Sequence, residues 1–269
     1  MTTRILETGS GSVRFDDDTT HVMGVVNLSP ESKNVDTIAR TVDEARTMAG
    51  RYREAGATFI DLGAQSSHFD NPELEGEEEI SRLLPALEAL VADRHLVSVD
   101  TWKPEVARAA IEAGAAIIND TGGSSEEMVG VVSGQSVGLI AMYLEGRSPL
   151  DVGAMRFSGD KGVEMRHHLS AQLERLTGAG VRFPISDPGI GISYRSDYAA
   201  YTRQQVEVIR SLDLLRSLGP PVLVPVPRKA EPARVHAFIA LSLEHRADII
   251  RVHDVEVACD LVDLFGRAA

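Results

Sequence analysis

The 269 residues carry 40 acidic against 27 basic side chains, a formal charge of −13, and 43% of positions are hydrophobic. Such a balance excludes a disordered or fibrous chain, and the acidic surface makes nucleic acid a poor partner. A single cysteine, Cys259, excludes an internal disulfide framework and a Cys-based zinc cluster, and no apolar run reaches the ~18 residues of a membrane span.

The N-terminus lacks a basic start followed by an apolar stretch, so a soluble, cytoplasmic protein without a secretory signal is expected. The first segment, ILETGSGSVRF, reads as a β-hairpin around Gly-Ser-Gly, an extension over residues 1–19 that could plug whatever follows. From there, short runs rich in Val and Ile alternate with longer amphipathic stretches. Strands are predicted at His21–Asn27, Phe59–Gly63, Val97–Asp100, Ile117–Asp120, Gly138–Tyr143, Phe183–Asp187, Val222–Val226 and Ile249–Val252. Helices are predicted at Thr37–Ala55, Glu77–Asp93, Pro104–Ala113, Arg166–Thr177, Arg203–Ser217, Ala233–Arg246 and Glu256–Phe265. Gly56, Gly114, Gly180 and Gly219 stand where a left-handed residue closes a helix, and Pro104 stands at a first turn.

Eight strands, each followed by a helix-length segment, predict an α/β fold: a (β/α)8 TIM barrel with an N-terminal β-hairpin. Runs such as FIDLG, AIIND and DIIRV are apolar on both faces, as strands covered by helices must be. An open doubly wound sheet is disfavoured because no Gly-rich dinucleotide turn follows the first strand. No linker or compositional break divides the chain, so residues 1–269 are expected to form one domain.

In such a barrel, chemistry sits where strands end. The strand ends here deliver Asn27, Asp61, Asp100, Asn119, Asp187, Arg228 with Lys229, and Arg251 with His253; Tyr143 ends the remaining one. Singly, each Asp or Asn is more often a helix cap. Capping does not explain the whole set on one rim. Acceptor carboxylates and amides suit the donor-rich edge of a guanidine-like heterocycle, Arg supplies a planar fork for an anion, and Lys229 can donate to a ring carbonyl. No nucleophile or activated water pairs with a carboxylate, so hydrolysis is not indicated. His167 and His168 are neighbours within a helix, facing different sides, and form no metal site.

At these residues the chain resembles the dihydropteroate synthase family of pterin-binding barrels. The resemblance runs from about Thr20 to the C-terminus. It rests on MGVVNLSPES (Met23–Ser32), DLG (Asp61–Gly63), SVDT (Ser98–Thr101), INDTGG (Ile118–Gly123), DPGIG (Asp187–Gly191), PRK (Pro227–Lys229) and IRVHDV (Ile250–Val255), in family order. It implies a pterin pocket of Asp100, Asn119, Asp187, Lys229 and Met142, and an anion subsite of Asn27, Arg251 and His253. It further implies catalytic roles for Asp61, Asp100 and Lys229, with Asn27 as the protein ligand of Mg2+ if pyrophosphate is the leaving group. A homodimer acting on small molecules is implied as well.

The departures cluster. After Pro30 stands Glu31-Ser32-Lys33-Asn34-Val35-Asp36, without the family's Phe and glycines. After Gly63 stands Ala64-Gln65-Ser66-Ser67-His68-Phe69 in place of Gly-Glu-Ser-Thr-Arg-Pro. Ser193-Tyr194 replaces Gly-Lys, Pro227 replaces a Ser, and Tyr143 replaces a His. An altered acceptor pocket is therefore expected at Lys33, Ser66, Ser67, His68, Phe69, Tyr194 and Arg228. Retained pterin residues beside altered loops point first to a transferase that passes the methylene (one-carbon) unit of a reduced folate, methylene-tetrahydrofolate, to a non-standard amine or carbon nucleophile. The alternative is dihydropteroate synthase itself, condensing 6-hydroxymethyl-dihydropterin pyrophosphate with p-aminobenzoate. A third reading is a catalytically silent pterin-binding protein.

Overall fold

The structure, a computed structural model, describes residues 3–32, 34–68, 70–146, 148–153, 159–192, 197–227 and 231–269. Strands β1 (Arg4–Thr8) and β2 (Gly11–Phe15) form the antiparallel hairpin. The barrel strands are β3 (His21–Asn27), β4 (Phe59–Gly63), β5 (Leu96–Asp100), β6 (Ile117–Asp120), β7 (Gly138–Met142), β8 (Phe183–Asp187), β9 (Leu223–Pro225) and β10 (Ile249–Val252). All eight run parallel, in the order β8-β7-β6-β5-β4-β3-β10-β9. Ser186 N donates to Pro221 O at 2.8 Å, and one bridge, Ser186 to Val222, brings the two ends of the sheet together. The result is a nearly closed TIM barrel, as the alternation of elements predicts.

The helices α1 (Val42–Ala55), α2 (Gly76–Ala92), α3 (Pro104–Glu112), α4 (Glu126–Val132), α5 (Lys161–Gly178), α6 (Tyr198–Arg210), α7 (Leu212–Arg216), α8 (Pro232–Glu244) and α9 (Val255–Leu264) surround it. None among the described residues is long and apolar enough to cross a membrane. Gly56, Gly114, Gly180 and Gly219 all adopt positive φ, as their positions after helices require.

The helix expected at Arg166–Thr177 begins five residues earlier, at Lys161, where Asp160 caps it by accepting from Val163 N, and three further departures have local causes. The segment Thr37–Ala55 is helical only from Val42, because Thr41 caps it by accepting from Glu44 N and a 3-10 turn occupies Val35–Thr37. The stretch Arg203–Ser217 is two helices, broken at Ser211, whose hydroxyl bonds back to Glu207 O at 3.0 Å. The seven-residue α4, capped by Ser125, is too short to show a helical period.

Two apolar layers result. One lies between the strands and the helices. The other fills the barrel floor, where Met23, Phe59, Ile117, Ile140, Phe183, Ile185, Leu223 and Ile249 meet Leu6, Val13 and Phe15 of the hairpin. Phe15 lies 5.4 Å from the Phe183 ring and 6.4 Å from that of Phe59. His21 ties the hairpin down, its Nε2 3.0 Å from Arg14 O and its Nδ1 3.1 Å from Thr58 Oγ1. The hairpin does plug the N-terminal end.

Candidate active site

The floor residues set the phase of the site. Side chains alternate along a strand, so positions two beyond an inward apolar residue also point inward, one layer nearer the C-terminal mouth. Phe59 is followed by Asp61, Ile117 by Asn119, Ile185 by Asp187 and Ile249 by Arg251. The barrel therefore changes from apolar to polar along its axis, and four strands deliver hydrogen-bonding groups to one space.

Those groups bind each other. Arg251 Nε donates to Asp61 Oδ2 at 2.6 Å and its Nη2 to Asp100 Oδ2 at 2.8 Å. Ser98 Oγ donates to Asp61 Oδ1 at 2.6 Å, and Asn119 Nδ2 lies 3.3 Å from Oδ2 of the same carboxylate. Thr121 Oγ1 donates to Asp100 Oδ1 at 3.3 Å. Asp187 accepts from Gly189 N at 2.7 Å. Two carboxylates thus share one guanidinium with a third, Asp187, in its field, and negative charge is in excess in a buried space. Burial, against the pull of Arg251 and aided by the neighbouring carboxylates, lifts both Asp100 and Asp187 to about 7. For Arg251 burial works against the charge, but Asp61 and Asp100 outweigh it and hold the guanidinium above its ordinary range.

The site also has a polar atom whose partner is missing: Asn119 Oδ1 is buried with no hydrogen bond among the described residues. An orphaned buried acceptor costs free energy unless something binds it. Together with Asp187, Asn119 gives an acceptor-rich surface of the kind an aminopyrimidine edge requires.

A second group stands on the rim. Asn27 Nδ2 donates to Thr37 Oγ1 at 2.7 Å, and Thr37 Oγ1 lies 3.2 Å from His253 Nδ1. Asn34 Nδ2 lies 3.1 Å from His253 Nε2. Asn27 and His253 are therefore brought together, as expected, whereas Arg251 is turned into the barrel toward Asp61 and Asp100. Among the described residues no three His, Cys, Asp or Glu side chains are grouped to hold a metal ion. A cation placed here would have the Asn27 carbonyl oxygen and otherwise depend on substrate oxygens, a donor set that suits magnesium.

Of the expected acceptor-pocket residues, Ser66, Ser67 and His68 lie partly buried on the β4–α2 loop. His68 Nδ1 accepts from Asp70 N at 3.2 Å. Met142 is buried with Val152, Ile192 and Tyr201. Lys33, Phe69, Tyr194, Arg228 and Lys229 lie outside the described residues. Tyr143 packs away from the mouth: its ring meets His168 of α5 edge-on at 5.0 Å, and its hydroxyl bonds Glu145 at 3.0 Å.

Sequence reasoning missed the residues that hold the β4–α2 loop. Gln65 donates to Pro72 O at 3.0 Å and accepts from Leu74 N at 2.9 Å. Lys103, at the foot of α3, donates to Gln65 Oε1 at 2.7 Å and to buried Glu79 at 2.6 Å. Nothing in the local sequence around any of the three announces this arrangement; Gln65 was visible only as a departure from the family's Glu.

Comparison with known proteins agrees with this geometry. The family described as "Pterin binding enzyme" matches residues 23–253. The dihydropteroate synthase of Synechocystis sp. is 31% identical over 92% of this chain and 91% of its own length. The dihydropteroate synthase of Thermus thermophilus in complex with 4-aminobenzoate superposes with a TM-score of 0.80 at 30% identity, covering 97% of this chain and 98% of that one. The same Thermus thermophilus enzyme in complex with 6HMPPP gives 0.77 at 31% identity, with the same coverage. A barrel whose mouth is lined by carboxylates and amides, matched along nearly its full length, places this chain in the pterin-binding enzyme family.

Proposed function

We propose that the chain is a dihydropteroate synthase, joining the methylene carbon of 6-hydroxymethyl-dihydropterin pyrophosphate to the amine of p-aminobenzoate. The observation that carries this reading is the acceptor-rich mouth of the barrel, with Asp61, Asp100, Asn119 and Asp187 around one guanidinium. Relatives of this name align over nine-tenths of the chain.

In this reaction the carbon–oxygen bond to pyrophosphate breaks, a carbon–nitrogen bond forms, and the amine loses a proton. Asp187 and Asn119 would accept from the amino and ring N–H groups of the pterin, fixing it in the barrel, with Met142 and Lys229 completing the pocket. As pyrophosphate departs, positive charge develops on the methylene carbon. Asp61 and Asp100 are already in place and need no reorganisation to stabilise it, the form of electrostatic catalysis worth most in a site shielded from water. Arg251, released from a carboxylate, could turn to the leaving group or stack on the ring. Asn27 and His253 would hold the pyrophosphate on the rim, and magnesium bound there would neutralise its charge. The acceptor would lie over the β4–α2 loop, against Ser66, Ser67 and His68, with Lys33, Phe69, Tyr194 and Arg228 as the other expected contacts. A homodimer in the cytoplasm belongs to the same proposal and rests on the resemblance to the family.

The substituted loops favour a second reading, transfer of a one-carbon unit from methylene-tetrahydrofolate to another nucleophile, which the names of the relatives cited above do not support. One assay separates the first reading from both the second and silent binding. Incubation with the dihydropterin pyrophosphate, p-aminobenzoate and Mg2+, followed by mass spectrometry, is expected to yield dihydropteroate. Saturable pterin binding without that product would overturn the proposal in favour of another acceptor or no turnover.

A further inference from the structure

Thr37, on the 3-10 turn ahead of α1, is 1% exposed. Its hydroxyl carries one proton and meets three partners: Asn34 O at 3.1 Å, Asn27 Nδ2 at 2.7 Å and His253 Nδ1 at 3.2 Å. A carbonyl oxygen only accepts, so the proton goes to Asn34 O. The two lone pairs of Oγ1 must then accept from the other two partners. That condition fixes their polarity. Asn27 turns its Nδ2 toward Thr37 and its carbonyl oxygen away, and His253 carries a proton on Nδ1. Nε2 of His253 then receives Asn34 Nδ2 at 3.1 Å, which the Nδ1–H tautomer allows.

We propose that Thr37 is a positioning residue: one buried hydroxyl presets both the amide orientation of Asn27 and the ring tautomer of His253. The inference rests on the assignment of those two rim groups to pyrophosphate and its cation. A reversed Asn27 amide would present N–H to the cation, which cannot be a ligand. With Thr37 in place the oxygen faces outward before anything binds. Partners that orient a binding side chain in this way commonly govern affinity by roughly 10- to 100-fold. The role also accounts for a local feature of the fold. Thr37 is spent on the site instead of capping a helix, and α1 waits for Thr41.

Thr37→Val keeps the side-chain shape and removes the acceptor; Thr37→Ser keeps the acceptor and removes the methyl. The tautomer of His253 is read by nitrogen-15 NMR of the imidazole. Affinity is read by calorimetric titration of inorganic pyrophosphate with Mg2+. Wild type and Thr37→Ser are expected to show protonated Nδ1 and unprotonated Nε2 and to bind alike. Thr37→Val is expected to mix the tautomers and to lose roughly 10-fold or more in affinity. An unchanged tautomer in Thr37→Val would overturn the proposal, as would a serine variant that behaves like valine. If the tautomer responds as expected but wild type itself ignores pyrophosphate, the positioning role stands and the dihydropteroate synthase reading fails.

Discussion

Asp187 illustrates how one side chain serves fold and site together. It closes its own glycine turn by accepting from Gly189 N, and the same carboxylate lies in the field of Arg251, Asp100 and Asp61. Burial raises it from an ordinary carboxylate value to about 7. The folded protein therefore binds that proton more tightly than the unfolded chain. The stability gained is fully present below the unfolded pKa and is lost as pH rises through 7. Asp187→Asn keeps an acceptor for Gly189 but has no charge to bury. Its melting temperature relative to wild type should rise between pH 5 and pH 8, by the equivalent of about 2 kcal/mol; a difference independent of pH would contradict the assignment. Above pH 7, where the carboxylate is charged, the same variant should bind the pterin substrate less well than wild type by about 2 kcal/mol, since a charged acceptor is lost. Most of this layer was legible in sequence, because the period of two that marks a strand also fixes which residue of each strand end faces inward. Thr37, Gln65, Lys103 and Glu79 were not, since each acquires its role from partners on other elements.

The β8–α6 connection shows a constraint at the level of elements. Gly189 has φ +69°, and a Cβ there would lie 2.0 Å from the carbonyl oxygen of Tyr143. Neither the left-handed backbone nor the contact with main chain can be relieved by a rotamer change. Gly189→Ala should destabilise the protein by roughly 2–4 kcal/mol and displace Asp187 from the pterin pocket. Gly50, in the interior of α1, has nothing within 4 Å of the same atom. Gly50→Ala should be stabilising by roughly 0.5–1 kcal/mol, and urea denaturation of the two variants checks the contrast. Element type was readable from periodicity and caps, whereas the break at Ser211 and the short α4 were not. A serine that bonds back within a helix leaves the apolar period unchanged, and seven residues span only two turns.

For the molecule as a whole, the weak seam and the floor plug decide stability. The barrel closes between β8 and the residue before β9 through a single bridge, while the other strand pairs carry full ladders. The hairpin compensates by filling the floor from which all strands rise. Phe15, 1% exposed, touches rings from both sides of the barrel, His21 and Phe59 on one and Phe183 on the other. Phe15→Ala should cost about 3–5 kcal/mol in urea denaturation. A loss below 1 kcal/mol would mean that the hairpin is an appendage and not part of the core. The sequence made the hairpin and the barrel legible separately; two of the aromatic contacts joining them, to Phe59 and Phe183, depend on side chains more than forty residues from Phe15.

The most direct test of the whole account is pyrophosphate release measured with and without p-aminobenzoate, at saturating dihydropterin pyrophosphate and Mg2+. If Asp61 and Asp100 stabilise a developing cation that the amine captures, p-aminobenzoate should sustain turnover, and release in its presence should match dihydropteroate one for one. Absence of release even with p-aminobenzoate present, or release that yields no dihydropteroate in its presence, would contradict it.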